Sequence, residues 1–275
     1  MVGYDGSDES WSAVDYAAQL AGRRGLSLKI VHAFVWSTPY ASVGPYGAPA
    51  ALDADEQAHT RIRELLERVR GLYPGLEVDG YAAGRAPAAV LIAESGHATL
   101  VVVGHRGTGG RSELHLSSVG AQVTADAGCP VIVVRGEGDP AGPVLLGVNP
   151  EEPSRAAVEA GADEALSRKL PLRALYAWNA PDAETFEAGR VDAAARLDAA
   201  LAGLATSHPG LTLEPVVTHS LDPATDLVDA SATAALVVVG RREISGLRRL
   251  LMGSVSRTLL HRAHCPVLVA RQHLD

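Results

Sequence analysis

Val101-Val102-Val103-Gly104-His105-Arg106-Gly107-Thr108-Gly109-Gly110 is the stretch from which the rest of the chain can be ordered. A β-branched apolar run stops at a glycine, a polar glycine-rich loop follows through Arg111, and Ser117-Ser118 opens the next apolar segment. This reads as strand, phosphate-cradling loop and helix N-terminus. Glycines let backbone amides approach an anion closely, and the unpaired N–H groups of a helix start favour negative charge there. The arrangement returns 136 residues later, where Val237-Val238-Val239-Gly240 leads through Arg241, Arg242 and Glu243 to Gly253-Ser254. Cys129-Pro130 and Cys265-Pro266 keep the same offset, so the chain reads as a tandem repeat.

Two domains of ordinary size fit the 275 residues, each large enough for a core of its own. A hydrophobic share of 47% with only 4% aromatic residues means cores of Val, Leu, Ile and Ala, suited to helices packed on parallel sheets. The net charge of −8 repels polyphosphate backbones and argues against a nucleic-acid partner. No apolar run approaches the ~18 residues of a membrane span, and Met1 to Ser10 lack the basic and apolar regions of a secretory signal. A cytoplasmic protein with no membrane partner is expected. The two cysteines, at equivalent places in the repeats, read as small buried residues before a strand rather than as a disulfide.

Along the chain, Val2-Gly3-Tyr4 reads as a strand end meeting Asp5-Gly6-Ser7, a turn that also caps a helix. Its counterpart, Val144 to Val148, has two more apolar residues in front, which suggests that the natural protein begins upstream of Met1. The intact mass of the native protein tests that expectation. Trp11, Val14, Ala17, Ala18 and Ala21 recur at helical spacing until Gly22 and Gly25, and a strand follows from Ser27 to Ala33. Pro39, Gly44, Pro45, Gly47 and Pro49 punctuate a long loop, read either as a lid or partner surface or as a plain insertion. Ile62, Leu65, Leu66 and Val69 predict an amphipathic helix ending near Gly71, then a strand from Leu76 to Ala82, a helix started by Pro87, and a strand from Leu100 to Gly104. Ser118 opens a helix closed by Gly128, and Val131 to Val134 is strand five.

Gly136, Gly138, Pro140, Gly142 and Pro143 mark a linker, which places the domains at 1–138 and 139–275. The second half repeats the order with strands at Val144 to Val148, Leu172 to Trp178, Thr212 to Val217, Ala235 to Gly240 and Val267 to Ala270, and with a long helix around Ala193 to Leu204. A shorter link replaces the Pro/Gly loop, so the offset changes from 144 early to 136 late and Asn149 stands for Asp5. Alternating strands and helices predict an α/β fold, a parallel doubly wound sheet in each half. Such sheets bind ligands beyond the carboxyl ends of the strands where the winding reverses. Asp5 and the Gly104 loop would share one crevice if strands one and four are neighbours there.

Gly104-x2-Gly107 followed by Ser117-Ser118, its twin ending in Gly253-Ser254, the early Asp5-Gly6-Ser7 and the late Cys-Pro-Val together resemble the universal stress protein family, as a tandem member. The resemblance implies five parallel strands ordered 3-2-1-4-5 in each repeat, an adenine nucleotide alpha hydrolase-like sheet, and an antiparallel pairing of the two fifth strands that makes the chain a pseudo-dimer. A homodimer of whole chains is compatible with it. It further implies an adenine nucleotide, ATP with Mg²⁺, held in the first repeat by Asp5, Gly6, Ser7, the Ala33 backbone, Gly104, Arg106, Gly107, Gly110, Ser117, Ser118 and Val119, with Asn149, Gly240, Gly253 and Ser254 as the second repeat's counterparts. Ser117 departs from the family's third glycine, and serves either as a phosphate donor or as a plain helix cap.

The second repeat departs further, with Glu243 at the place of Gly107. A carboxylate ~4 Å from a phosphate charge costs about 4 kcal/mol at an effective dielectric of 20, roughly three decades of affinity unless Arg241 or Arg242 compensates. The first crevice is therefore expected to bind nucleotide and the second weakly or not at all. A P-loop is excluded, since Lys29 and Lys169 are the chain's lysines and neither follows the required glycine. Gly-x-Gly-x-x-Gly and Gly-x-Ser-x-Gly are absent, and His261, His264 and Cys265 lack the paired spacing of a zinc site. His105, His115, Arg106 and Arg111 read either as phosphate contacts or as solvated loop residues. With no base or nucleophile to name, the expectation is an ATP-binding stress-response sensor or interaction module with little or no turnover. An ATP-using adenylating enzyme or slow ATPase, and a nucleotide-free scaffold, are the alternatives.

Overall fold

The computed structural model of the protein describes residues 1–35, 47–107, 116–179, 186–241 and 253–271, with side chains for all but 47–54. Thr108 to His115, including Gly110 and Arg111, lie outside the described residues, as do Pro39, Gly44, Pro45, Arg242 and Glu243. The chain divides into two compact units, Met1–Cys129 and Pro130–Asp275.

In the first unit the strands are β1 (Val2–Gly3), β2 (Leu28–Ala33), β3 (Val78–Ala83) and β4 (Val101–Gly104), in the spatial order β3-β2-β1-β4. The pairs are parallel, with Val2 opposite both Ile30 and Val102. Helix α1 (Asp8–Arg24) forms because Ser7 caps it by accepting from the Ser10 N–H and Asp8 and Glu9 face its positive end. Gly25, at φ 63°, stops it in the left-handed conformation. Its inward stripe of Ala13, Val14, Ala17, Ala18 and Ala21 is buried, and these small side chains let the helix lie close to the sheet. Val101, Val102 and Val103 are at most 3% exposed, so their uninterrupted apolar run reflects helices on both faces of the strand.

Helix α2 (Gly47–Leu72) starts earlier than the punctuation suggests: Gly47 and Pro49 lie in its first turn, where a proline lacks no helical hydrogen bond. Helix α3 (Pro87–Ser95) takes Pro87 at its first position, as expected. Helix α4 (Ser118–Asp126) ends at Ala127, not at a left-handed glycine; Gly128 instead donates its N–H to Ser95 Oγ at 2.7 Å, tying α4 to α3.

The second unit contains β5 (Val131–Val134), β6 (Val144–Gly147), β7 (Leu172–Trp178), β8 (Leu213–His219), β9 (Leu236–Gly240) and β10 (Val267–Ala270). Read from β8 the order is β8-β7-β6-β9-β10, which is 3-2-1-4-5 of a complete repeat, all parallel. Strand β5 pairs antiparallel with β10, Val131 opposite Val269 and Val133 opposite Val267, as expected for the two fifth strands. Helices α5 (Arg155–Arg168), α8 (Pro223–Ala230) and α9 (Ser254–Arg262) alternate with the strands. The single helix expected around Ala193 to Leu204 is two, α6 (Phe186–Ala200) and α7 (Leu204–Ser207), because Gly203 at φ 82° interrupts it.

Candidate functional site

In the first unit α1 and α2 follow β1 and β2 outward to β3, and the chain then returns through α3 to β4 on the other side of β1. The winding reverses between β1 and β4, and a crevice of about 790 Å³ opens beyond their carboxyl ends. Asp5, Ala33, Gly104, Arg106, Gly107, Ser117, Ser118 and Val119 all line it. Residues separated by up to 114 positions are thus brought to one wall because β1 and β4 are neighbours.

Asp5 is held in place by its own turn. Its Oδ1 accepts from the Ser7 N–H at 3.0 Å and from Ser7 Oγ at 2.6 Å, while Oδ2 faces Gly107 so closely that a β-carbon there would overlap it. Gly6 and Ser7 stand behind Asp5 rather than in the wall: Gly6 makes the turn at φ 92°, and Ser7 caps α1. Gly104 answers to a helix. A β-carbon on it would meet the Glu9 carbonyl oxygen at 3.0 Å, so the strand end and the first turn of α1 touch backbone to backbone. Arg106 places Nη1 3.9 Å from Glu9 Oε1, a part-exposed pair of small energetic weight.

Ser117 caps α4, its Oγ accepting from the Gly120 N–H at 3.0 Å and its own N–H donating to the His105 carbonyl at 2.8 Å. The backbone there, φ −58° and ψ 150°, is nearly that of Gly253 in the second repeat, φ −60° and ψ 158°. Serine therefore fits the position without strain. Residues that the sequence reading left out also line the crevice, among them Tyr4, His32, Phe34, Arg61 and Leu91. His32 is buried with Nδ1 2.8 Å from the Tyr4 carbonyl oxygen, which makes Nδ1 the donor of that hydrogen bond, and it stacks on Phe34 at 5.7 Å. His32 stands out in the sequence as the polar residue in the otherwise apolar end of β2, one residue before Ala33; Arg61, on a helix distant in sequence, carries no such signal.

The second unit has its own crevice, of about 700 Å³, lined by Asn149, Gly240, Gly253 and Ser254 together with Tyr176, Leu227 and Arg241. Asn149 Oδ1 accepts from the Glu151 N–H at 3.3 Å. Helix α5 begins one turn later than α1, capped by Ser154, and a β-carbon on Gly240 would overlap the Ser154 side chain. Gly240, like Gly104, is demanded by the first helix of its repeat. Gly253 leaves α9 without a side-chain cap, and a β-carbon on it would meet nothing within 4 Å. Among the described residues no cluster of three or more His, Cys, Asp or Glu side chains is arranged to hold a metal ion, and no helix is long and apolar enough to cross a membrane.

The model of the Universal stress protein family matches the chain twice, at residues 1–135 and 141–271. The universal stress protein Rv2005c of Mycobacterium tuberculosis (strain ATCC 25618 / H37Rv) is 34% identical over 289 residues, covering 99% of this chain and 96% of that protein. Among solved structures, a universal stress protein from Archaeoglobus fulgidus DSM 4304 superposes with a TM-score of 0.70 at 15% identity, covering 98% of this chain and 97% of that one. A universal stress protein from Archaeoglobus fulgidus solved in complex with dAMP covers 47% of this chain and 97% of its own, at 22% identity and a TM-score of 0.35. With both repeats matched and the fold shared over nearly its whole length, the chain belongs to the universal stress protein family, as a tandem member carrying the family's domain twice.

Proposed function

We propose that the first crevice binds an adenine nucleotide, ATP accompanied by Mg²⁺, and that the chain acts as a nucleotide-responsive sensor or interaction module with little or no turnover, in the cytoplasm. The observation that carries this reading is the meeting of Asp5, the Ala33 strand end, the Gly104-to-Gly107 loop and the start of α4 in one crevice at the winding reversal. Polar groups converge there on apolar walls of Leu91, Val103 and Phe34, the pattern of a small-molecule site. With no protein cage for a cation among the described residues, Mg²⁺ would arrive on the triphosphate, its usual mode of binding. Asp5, tied to Ser7 through Oδ1, serves as a hydrogen-bond acceptor rather than as a proton shuttle, which supports slow turnover at most.

The second crevice is read as the weaker site, from Glu243 and Asn149 in place of Gly107 and Asp5. Calorimetric titration of the full chain with ATP and Mg²⁺, beside Gly107→Glu, tests both parts. One tight site that is lost in the variant is expected. Two equal sites, or affinity unchanged by the substitution, would overturn the assignment of the first loop.

A further inference from the structure

Pro74-Gly75 at the end of α2 recurs 135 positions on as Pro209-Gly210 after α7, and both glycines are left-handed, at φ 92° and 87°. The same count carries Arg61 of α2 onto Arg196 of α6. The two arginines occupy corresponding places in the repeats and are treated differently by their surroundings. Arg196 is neutralised within the chain: its Nη1 lies 3.0 Å from Glu151 Oε1 and its Nε 2.8 Å from Asp192 Oδ2. Glu151 stands 144 positions after Ser7, in the turn that corresponds to Asp5-Gly6-Ser7. Arg61 lines the first crevice with Nη1 over that turn, 3.9 Å from where a β-carbon of Gly6 would be. Among the described residues no carboxylate comes within ion-pair distance of it.

We infer that Arg61 is an anion-binding residue of the first crevice, a guanidinium held over the Asp5-Gly6 turn to take the terminal phosphates of the nucleotide. The inference rests on the nucleotide reading of that crevice. Among the described residues of the crevice, two other charges bear on an incoming phosphate chain. Asp5 repels it, and Arg106 is partly countered by Glu9. Arg61 has no such acid, sits on a rigid helix and presents several N–H donors in a planar fork that matches phosphate oxygens. In the second unit the corresponding cation is occupied by two carboxylates, so that crevice lacks the same service whatever its loop contains.

The test compares ATP and AMP affinities of the full chain with those of Arg61→Gln and Arg61→Lys, by calorimetry in the presence of Mg²⁺. A charge-assisted bond to phosphate sets the expected loss for Arg61→Gln at about tenfold for ATP, with AMP changed by less than about twofold and Arg61→Lys, which keeps the charge but not the fork, falling between wild type and Arg61→Gln for ATP. Wild-type binding that Arg61→Gln leaves intact, or weakens equally for ATP and AMP, overturns the role of Arg61 while the nucleotide site stands. A wild type that binds neither nucleotide overturns the site and the inference together.

Discussion

Gly107→Ala is the substitution that separates two reasons for a glycine in the loop. If the glycine is there to let a phosphate approach, a methyl group harms binding whatever residue 5 is. The structure gives a different reason. A β-carbon on Gly107 would overlap Asp5 Oδ2 and lie 3.5 Å from Asp5 Cγ, and Asp5 cannot simply swing aside because Oδ1 is bonded to the Ser7 N–H and hydroxyl. Overpacking of this kind costs about 1–3 kcal/mol, and breaking a bond to a carboxylate to relieve it costs about as much. Taking about 1.4 kcal/mol, Gly107→Ala should weaken ATP binding about tenfold and lower the melting temperature of the unliganded chain. In an Asp5→Ala background the overlap is gone, and the same methyl should cost little by either measure. A double-mutant cycle read by ATP calorimetry and by melting of the unliganded protein gives the coupling directly. Equal losses in the two backgrounds would refute the steric account and return Gly107 to the phosphate.

Further outcomes follow from the caps and from burial. Ser117→Ala removes the acceptor for the Gly120 N–H and should cost about 1 kcal/mol, seen as a lower melting temperature, whereas Ser117→Gly should cost only a few tenths; a larger loss for glycine would contradict the cap. Burial pushes the Cys265 thiol up to about 12 from an ordinary 9.0. Below pH 9 the thiol is neutral folded and unfolded. Above it the unfolded chain releases a proton that the folded chain retains, so this contribution is intact below pH 9 and is lost as pH rises toward 12. Melting temperature should accordingly fall less steeply over that range in Cys265→Ala than in the wild type, and parallel slopes would dispose of the argument.

Much of the fold is legible in the sequence because its signals are local. The runs Val131 to Val134, Leu172 to Trp178 and Val267 to Ala270 are strands over those same residues, since each is apolar, with Arg173 the one charged residue in the middle run, and each is bounded by Pro or polar residues. The breaks are less legible. Gly47 and Pro49 look like loop residues yet begin α2, because the first helical turn tolerates both; Gly203 looks like an ordinary helix position yet divides α6 from α7. For the site, Asp5 and the Gly104 loop could be paired from topology alone. Ser117 could be narrowed only to cap or phosphate donor, and the hydrogen bond to Gly120 shows it acting as a cap. Arg61 reaches the crevice through the packing of α2 on β3 and β2, and the ring of His32 through the pairing of β2 with β1, and nothing in the local pattern of α2 distinguishes Arg61 from its solvated neighbours.

The glycines that end β4 and β9 have a bearing on how such chains are counted. Each is pressed against the first helix of its own repeat, Gly104 against the Glu9 carbonyl and Gly240 against the Ser154 side chain. A residue required by the fold persists for as long as the domain folds, whether or not the crevice above it is ever filled. Its presence in a repeat enumerates folded domains. The tally of occupied crevices would rest instead on positions that the fold does not police; on the reading proposed above, these are Asp5 against Asn149, and Arg61, unpaired among the described residues, against a neutralised Arg196.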